Sequence, residues 1–451
     1  MTLGVLKVAA SVRCCGLDVR VVDLSGQADF MAHVQAASDS CPAGPFAITA
    51  TTPQFPHAYK IANFLRQRGH KVIMGGPHPT LVMGAHLRGI KRAAYHASVL
   101  ESCADTVVSG DGEMAIFKAL AQDGHINADD VKSTMFMSHS QFDTSPWPAR
   151  DLLDVSSYHY EIDGKRALSV VGQLGCPMAC TFCAGRNSPS FRRIRLRSAK
   201  SVVQEIEHLV TEYGVEAIMF YDDELNINNA FSDLMLALVD LQDRLGKVLA
   251  FRGFVKAELF TAAQARLMAR AGFKTLLSGF ESGSPRILEN INKKASVDDN
   301  TRCLDVARNN NIKVKALMSL GHAGETPETV QQTREWLLKT RPDDFDVTII
   351  TVLPGSPYFD QSEPAFGAWR YTAKNGDTLY SHDIDYSVTK NYYKGIPGEY
   401  TSYVFTDRVT ECQLVMARDA METDIRAALG LPALTPAAKA FDQSMGASRP
   451  A

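Results

Sequence analysis

Short apolar segments alternate with amphipathic segments between residues 168 and 352, and this alternation restricts the possible folds. The strand-like segments are 168–173, 217–221, 250–255, 275–279, 312–319 and 346–352. The segments with helical spacing are 201–213, 230–245, 262–270, 297–309 and 327–340. Strands that alternate with helices favour a parallel sheet. Six such units predict a partial, TIM-like (β/α)6 barrel, with its chemistry at the carboxyl ends of the strands.

The first 141 residues show a second α/β pattern. Strands are predicted at 18–24, 45–51, 70–74 and 106–108, and helices at 3–14, 57–68 and 112–122. This order predicts a Rossmann-like, doubly wound domain in which the loops 75–80 and 109–113 line a ligand crevice. The pattern opens with a helix, so the strand that normally begins such a domain is missing from it.

A proline-containing connector around Pro146 and Pro148 separates the two α/β units. The predicted domains are therefore residues 1–141, a linker at 142–160, a barrel at 161–355 and a C-terminal region at 356–451. A helix predicted at 406–429 makes the last region α-rich. The segment 391–400 is expected to cover the mouth of the barrel.

Composition places the chain among globular proteins. Of its 451 residues, 45% are hydrophobic and 22% are charged, which excludes a mostly disordered protein. The 47 basic and 50 acidic residues give a net charge of −3, so no general positive field attracts nucleic acid. No apolar run approaches the roughly 20 residues that cross a membrane. The first residues do not follow the secretory signal pattern, so we expect a cytoplasmic protein without membrane or nucleic-acid partners.

Three of the nine cysteines lie in one loop directly after the first barrel strand. Cys176, Cys180 and Cys183 have the spacing C-x-x-x-C-x-x-C. A redox dithiol would use only two of them, a structural zinc site would need a fourth ligand nearby, and buried structural thiols rarely gather in such a loop. In the remaining interpretation the three thiolates hold an iron–sulfur cluster and leave one iron open to an external ligand.

This cysteine motif and its surroundings resemble the radical S-adenosylmethionine (radical SAM) superfamily. The resemblance implies a 4Fe-4S cluster, held by the three cysteines, that binds SAM and cleaves it reductively. The resulting 5′-deoxyadenosyl radical takes a hydrogen atom from the substrate. The resemblance also implies that Phe182, the aromatic residue before the last cysteine, packs near the adenine of SAM.

Further loops at the carboxyl ends of the barrel strands match the SAM-binding loops of this superfamily. The resemblance implies that Asp223 and Glu224 hold the methionine ammonium of SAM. It implies that Glu281 and Ser282 contact the ribose and carboxylate, and that Arg252 or Lys256 contacts the carboxylate. It also implies that Leu353 belongs to a loop on the adenine side. Each segment also has a plainer interpretation: a solvated acidic turn, an ordinary turn or a surface cation.

The N-terminal loops resemble those of radical SAM enzymes that carry a cobalamin-binding domain. That group includes methyltransferases, ring contractases and cyclases. The chain contains no D-x-H-x-x-G motif to supply a cobalt ligand, and the first strand is missing from the pattern. His78 lies between two prolines and is expected to fill a loop rather than bind cobalt. We therefore expect no functional cobalamin.

A cobalamin-type domain reduced in this way resembles that of radical diol-dehydratases in aminoglycoside antibiotic biosynthesis. The resemblance implies a polar, aminoglycoside-like substrate, a redox partner and a separate NADPH-dependent reductase for the following step. Loss of a hydroxyl group needs a general acid. Tyr221 is the candidate, with Asp222, Asp223 or Glu224 tuning it. The alternatives are a cobalamin-dependent radical SAM methyltransferase and a non-catalytic iron–sulfur or zinc scaffold.

Overall fold

The N-terminal part of the chain is built on a parallel sheet of four strands. The computed structural model describes residues 2–42, 44–390, 392 and 397–434. The strands, in sheet order, are β1 (Phe46–Thr49), β2 (Val72–Gly75), β3 (Thr106–Gly110) and β4 (Gly124–Ala128). The helices are α1 (Leu3–Cys14), α2 (Phe30–Ser40), α3 (Phe55–Gln67), α4 (Pro77–Leu87), α5 (Ala94–Cys103) and α6 (Gly112–Ala121).

Helices cover both faces of this sheet because successive strand residues point to opposite sides. On one face, Val72 and Val107 pack with residues of α3 and α5. On the other face, Ile73 and Val108 pack with residues of α1 and α6. The predicted doubly wound domain is therefore confirmed, with β4 as a strand that the sequence pattern did not predict.

The strand predicted at 18–24 is wrong, because this segment has no regular secondary structure. Val19 packs against the core on the α1 side of the sheet, whereas Leu24 packs against the core on the other side. The segment therefore passes from one face to the other and cannot pair along a strand edge. The loop predicted at 75–80 is also shorter than expected, since α4 begins at Pro77.

The connector between the two α/β units contains α7 (His139–Thr144) and is anchored to the barrel by a buried ion-pair network. An Arg150 Nη1–Glu205 Oε1 distance of 2.7 Å links the connector to the barrel, and Arg197 pairs with the same carboxylate. Burial favours a higher pKa for Glu205, but the two arginines outweigh it and lower that pKa. The network fixes the connector against the barrel.

The barrel sheet has seven strands in the order β13-β12-β11-β10-β9-β6-β5, and the edge strand β5 runs antiparallel to β6. In chain order the strands are β5 (Glu161–Ile162), β6 (Lys165–Val170), the separate short pair β7 (Gln173–Leu174) and β8 (Arg195–Leu196), β9 (Ala217–Phe220), β10 (Ala250–Phe254), β11 (Phe273–Glu281), β12 (Lys313–Leu320) and β13 (Asp344–Ile349). The helices are α8 (Pro189–Arg192), α9 (Ala199–Glu212), α10 (Phe231–Leu245), α11 (Ala262–Ala271), α12 (Pro285–Asn290), α13 (Val297–Arg308) and α14 (Pro327–Thr340). All six predicted barrel strands and all five predicted helices are confirmed, whereas α12 was not predicted.

The two faces of this curled sheet differ in what they carry. Residues such as Phe220, Phe251 and Val314 pack beneath the helices in the largest core. The opposite, concave face carries a smaller cluster with Tyr221 and Phe254 at its border. The carboxyl ends of the six parallel strands meet at one end of this concave face, where the predicted site residues lie.

The C-terminal region combines the predicted helix with a sheet that was not predicted. Its elements are α15 (Pro357–Asp360), the antiparallel strands β14 (Glu363–Ala365), β15 (Ala368–Thr372), β16 (Thr378–Ser381) and β17 (Val404–Phe405), then α16 (Glu411–Ala420), a π-helical turn (Met421–Ile425) and α17 (Arg426–Leu429). The predicted cover over the barrel mouth falls partly on residues 391 and 393–396, which lie outside the described residues.

Side chains of the C-terminal region close the outer edge of the barrel sheet. The Tyr400 hydroxyl donates to the carbonyl oxygen of Ile349 at 2.7 Å, and the Glu422 carboxylate accepts from the amide of Val347 at 2.6 Å. An open strand edge invites pairing with other chains, and these contacts remove that risk. Among the helices that the structure describes, none combines the length and apolar character needed to cross a membrane.

Candidate active site

The three cysteines lie in a long loop whose base is closed by the pairing of β7 with β8. Gly175 begins the loop with φ +88°, and a Cβ atom there would lie 2.2 Å from the carbonyl oxygen of Arg193. Glycine is therefore required at this position. The amide of Cys176 donates to the carbonyl oxygen of Phe191 at 2.9 Å, which holds the two arms of the loop together.

The three thiols share one electrostatic environment. Cys176 and Cys183 each interact with Cys180, and Cys176 and Cys183 also interact with each other. Burial raises the pKa of the Cys176 thiol to about 11, and the nearby carboxylates of Glu224 and Asp223 add to that effect. Because metal ligation requires thiolates, binding of iron here must displace protons.

The donor set fits an iron–sulfur cluster better than a single metal ion. Within the described part of the chain, no three His, Cys, Asp or Glu side chains are arranged around one ion position. Each thiolate of a cubane cluster binds a different iron, so the three sulfurs need not converge on one point. Three thiols on one loop therefore suit a 4Fe-4S cluster whose fourth iron takes an external ligand.

Two carboxylates of the acidic loop after β9 hold the backbone that precedes the first cysteine. Asp222 accepts a hydrogen bond from the amide of Gly172 at 2.7 Å, and Asp223 accepts one from Gly175 at 2.9 Å. Asp222 is only 1% exposed, and its burial raises its pKa to about 7. The interpretation of this segment as a solvated acidic turn is therefore wrong for Asp222. Its buried carboxylate stabilises the backbone that precedes the cysteine loop.

Glu224 is the carboxylate of this group that remains available to a ligand. Its Oε2 atom is buried and has no hydrogen-bond partner among the described residues. Burial raises the pKa of Glu224 to about 7, although Lys293 and Lys256 oppose the shift. A buried acceptor without a partner is costly, and the ammonium group of a ligand would satisfy it.

Lys293, which the sequence did not indicate, enters the site from the segment after α12. The segment bonds directly to the cysteine loop, because the amide of Thr181 donates to Ile291 O at 3.0 Å and the Asn292 side chain donates to Ala179 O at 2.9 Å. Asn292 has φ +53°, an uncommon conformation for a residue other than glycine. Lys293 Nζ lies 3.2 Å from Glu281 Oε1.

Burial by itself lowers the pKa of Lys293, but Glu281, Cys180 and Glu224 together raise it, so its ammonium keeps its charge. Lys256 completes this group, since its Nζ donates to the carbonyl oxygen of Lys293 at 3.1 Å. The structure therefore places two buried cations and two carboxylates around Cys180. Glu281 was predicted for this site. Lys256 was predicted together with Arg252, as alternative contacts to the carboxylate of SAM.

Phe182 lies against a buried relay of polar side chains. Its ring centroid is 5.2 Å from that of His322, in an edge-on arrangement. The Nε2 atom of His322 lies 2.8 Å from the Ser319 hydroxyl, which donates to Glu281 Oε2 at 2.7 Å. Burial lowers the pKa of His322 to about 4, so this imidazole is neutral. The relay connects the ring predicted near adenine with the carboxylate predicted near ribose.

Three other predicted residues make contacts with partners other than the cysteines. Ser282 is 1% exposed and its hydroxyl lies 3.0 Å from that of Thr333 on α14, so it stabilises the turn after β11. Leu353 packs against the N-terminal core. Arg252 lies on the concave face of the sheet, where its charged neighbours are Asp344, Asp346, Tyr221 and Tyr160. Tyr221 therefore lies beside a buried cation at the border of the concave face.

Residues of the segment after the cysteines contact the carboxyl ends of two strands of the N-terminal sheet. Arg195, from β8, forms a buried ion pair with Asp111 and also donates to Ser190 O at 2.8 Å. Asp129, which follows β4, accepts hydrogen bonds from the Ser188 hydroxyl and the Ser190 amide, each at 2.8 Å. Ligands of such sheets bind beyond the carboxyl ends of the strands. The segment 188–195 therefore lies against the carboxyl ends of β3 and β4.

His78 lies in the first turn of α4 and is 1% exposed. Its Nδ1 atom is 3.2 Å from the Thr52 hydroxyl, and its ring lies 4.1 Å from that of Phe55. Burial lowers its pKa to about 3, which keeps the imidazole neutral. The residue fills the interior of the domain, as expected, but from a helix rather than a loop.

Comparison with known families agrees with this geometry. Residues 170–337 match the model of the Radical SAM superfamily. The matched residues cover most of the barrel and include the three cysteines that carry the resemblance to this superfamily. An uncharacterized methyltransferase of Pyrococcus horikoshii is 28% identical over 330 residues, covering 68% of this chain and 67% of its own. The anaerobic magnesium-protoporphyrin IX monomethyl ester cyclase of Cereibacter sphaeroides is 26% identical, covering 78% and 59%.

Solved structures share the fold over most of the chain. The radical SAM methyltransferase TsrM from Kitasatospora setae, with cobalamin and a [4Fe-4S] cluster bound, has a TM-score of 0.63 at 16% identity, covering 83% of this chain and 78% of TsrM. The cobalamin-dependent radical SAM enzyme OxsB has a TM-score of 0.58 at 15% identity, covering 80% and 52%. Both neighbours bind cobalamin, contrary to our expectation for this chain. The relatives support the methyltransferase alternative more than the dehydratase.

Proposed function

We propose that this chain is a radical SAM enzyme that starts radical chemistry on a polar substrate bound at the concave face of its barrel. The donor set of Cys176, Cys180 and Cys183 carries this proposal. When bound there, a 4Fe-4S cluster and SAM supply a 5′-deoxyadenosyl radical. Glu224, with its buried oxygen, receives the methionine ammonium, and Lys293 and Lys256 balance the surrounding negative charge.

For the reaction that follows, we favour dehydration of a vicinal diol. Hydrogen abstraction from one carbinol carbon gives a carbon radical, and the neighbouring C–O bond then breaks as the hydroxyl leaves as water. The proton for that water comes from a general acid, and the first hydroxyl loses its own proton as its carbon becomes a carbonyl. The product radical needs one further electron and one proton from an external one-electron donor. We propose Tyr221, which interacts electrostatically with Arg252, as this acid.

The contacts between the segment 188–195 and the N-terminal domain support dehydration, which needs no cobalamin, over cobalamin-dependent methyl transfer. A cobalamin-dependent methyl transfer needs the cofactor between the two α/β units. Arg195, paired with Asp111, and the segment that bonds to Asp129 lie between the two units. Methyl transfer is the second candidate, and the names of the relatives favour it.

One experiment separates these candidates. The protein is reconstituted anaerobically with iron and sulfide, reduced with dithionite, and incubated with SAM and a panel of aminoglycosides that contain vicinal diols, with and without hydroxocobalamin. Dehydration predicts 5′-deoxyadenosine and a product that has lost one water, both independent of cobalamin. A methylated product formed only with cobalamin would replace dehydration by methyl transfer. If a cluster-loaded sample forms no 5′-deoxyadenosine, both enzymatic proposals are wrong. The remaining hypothesis is then a non-catalytic iron–sulfur scaffold.

A further inference from the structure

Phe366 is an aromatic residue that the fold holds almost entirely in solvent. It lies at the tip of the hairpin formed by β14 and β15, and it is 96% exposed. Ala365 pairs with Ala368 in the register of this hairpin, so the turn consists of Phe366 and Gly367 alone. Single exposed apolar residues are ordinary on protein surfaces, so exposure by itself does not indicate a function.

The backbone of Phe366 adds a second observation, because it adopts a left-handed conformation. Its φ is +52°, and that of Gly367 is +76°. A two-residue hairpin turn with positive φ at both positions favours asparagine, aspartate or glycine, and a bulky residue there is an outlier. The exposed ring has no packing within its own chain that offsets this strain. Such strain is concentrated at functional positions, which points to a contact outside the chain itself.

An apolar groove on the N-terminal domain is large enough to receive such a ring. It has a volume of about 590 Å³ and is lined by residues of α2, α3 and the segment 387–390. Its apolar lining includes Met31, Phe64 and Val388, and Val388 is 66% exposed. The same chain therefore presents an aromatic anchor on one surface and an apolar groove on another.

The charges around these two surfaces favour contact between them. Lys60 and Lys390 line the groove. Burial lowers the pKa of the neighbouring His57, and the charges of Lys390 and Lys60 lower it further. Because like charges repel, two copies are disfavoured from pairing groove to groove. On the hairpin, Glu363 is exposed, whereas Arg370, opposite it in the register, is half-buried. The exposed charge of the hairpin is therefore opposite in sign to that of the groove.

We propose that the β14–β15 hairpin of one copy of this chain docks in the groove of a second copy, with Phe366 as its anchor. The second copy makes the same contact in return, so two hairpins and two grooves form one closed dimer. Pro364 lies in the edge strand β14 and has no amide hydrogen to donate, which disfavours pairing edge to edge and leaves the tip as the point of contact. The inference goes beyond the proposed function and uses none of its residues.

Sedimentation velocity of the full-length, cluster-loaded protein over a range of concentrations tests the dimer. We expect a reversible dimer in the wild type. Phe366→Ser removes the anchor without changing the interior, and it should raise the dimer dissociation constant about 30-fold or more, because a buried aromatic anchor dominates such a contact. Val388→Gln, in the groove, should raise the constant as well.

Val248→Ser is the matched control, since Val248 is 70% exposed in the turn before β10 and lies in neither surface. It should leave the dissociation constant unchanged. A wild type that stays monomeric, a dimer that Phe366→Ser leaves intact, or equal losses in Phe366→Ser and Val248→Ser would overturn the proposal. A loss in Phe366→Ser that Val388→Gln does not share would overturn the groove as the docking place.

A photoreactive residue at position 366 identifies the docking place directly. Unlabelled protein with p-benzoylphenylalanine in place of Phe366 is mixed with an equal amount of heavy-isotope-labelled wild-type protein and irradiated. We expect cross-links between position 366 and heavy peptides that contain Phe64 or residues 387–390, identified by mass spectrometry. Cross-links confined to unlabelled peptides would show a contact within one chain, and cross-links to another surface would show a different interface. Either result would overturn the proposal.

Discussion

The ammonium of Lys293 lies 3.2 Å from a carboxylate oxygen of Glu281, and both side chains lie beside Cys180. Gly279 makes this contact possible, because a Cβ atom there would lie 2.5 Å from Glu281 Oε1 and 3.1 Å from Lys293 Nζ. Asn292 (φ +53°) and Lys294 (φ +63°) adopt left-handed conformations on either side of Lys293. Such strain persists where the surrounding structure requires it, and it is concentrated at functional sites.

Lys293→Gln is expected to lower the reduction potential of the cluster. The buried cation stabilises added negative charge at Cys180, so its loss disfavours the reduced state. The variant also breaks a buried ion pair and should be destabilised by about 3 kcal/mol or more. A redox titration followed by electron paramagnetic resonance measures the potential, and Lys293→Arg should restore most of it. Lys313→Gln, at an exposed lysine of β12, is the control. An unchanged potential in Lys293→Gln would contradict the assigned role.

Cys180→Ala is expected to abolish cluster assembly. A loop that offers only two thiols cannot hold a cubane whose fourth iron must stay open. Iron content and visible absorbance after anaerobic reconstitution report the result. Cys412→Ala, at an exposed cysteine of α16, should load as wild type does. Full iron content in Cys180→Ala would show that this thiol is not a ligand.

The barrel could be predicted from the sequence because each of its parallel strands contains a short, largely buried apolar stretch, such as Ala-Ile-Met-Phe in β9, and helical spacing follows most of them. Strand β4 escaped prediction because its sequence, Gly-His-Ile-Asn-Ala, contains one large apolar residue. Strand β15 contains Trp369, Arg370 and Tyr371, a half-buried pattern of the kind that also occurs in loops.

The cysteines were predictable because their ligand chemistry depends on spacing within one loop. Lys293 was not, because the sequence Asn-Ile-Asn-Lys-Lys around it resembles an exposed turn. Only the left-handed backbone after α12 directs one of its two lysines inward. Arg195 was missed for a similar reason, since its partner Asp111 lies 84 positions earlier in the chain.

The acidic loop makes folding stability depend on pH. Burial raises the pKa of Asp222 from 3.8 to about 7, so the folded state binds this proton more tightly than the unfolded state. The associated stability is fully present below pH 3.8 and is lost as pH rises towards 7, up to about 4 kcal/mol in total. Asp222→Asn keeps an acceptor for the Gly172 amide and should flatten the fall of the urea midpoint between pH 5 and pH 8.

Asp298→Asn provides the comparison, because Asp298 is exposed at the start of α13. Its urea midpoint should follow that of the wild type at every pH. If Asp222→Asn shows the same slope as the wild type, the carboxyl group of Asp222 does not titrate with the assigned shift.

The Arg195–Asp111 pair is expected to hold the cysteine loop on the N-terminal domain. Arg195→Met leaves a buried carboxylate without its cation and should lower the free energy of unfolding by about 3–5 kcal/mol. The double variant Arg195→Met/Asp111→Leu should recover part of that loss. Urea denaturation measures both. Arg244→Met, which breaks an exposed pair with Glu207, should cost less than about 1 kcal/mol. If Arg195→Met lowers the free energy of unfolding by a similarly small amount, the pair does not stabilise the contact between the cysteine loop and the N-terminal domain.

Tyr221→Phe separates radical formation from loss of water. The phenol is the proposed proton donor to the departing hydroxyl, whereas hydrogen abstraction does not need it. The variant should therefore still form 5′-deoxyadenosine while the dehydrated product forms about 10²–10⁴ times more slowly. Single-turnover assays that quantify both compounds by mass spectrometry measure the ratio. Tyr213→Phe, which removes the same hydroxyl after α9 beside His208, should leave the ratio unchanged. If Tyr221→Phe releases water at the wild-type rate, the acid must be another group, and Glu224 is the next residue to substitute.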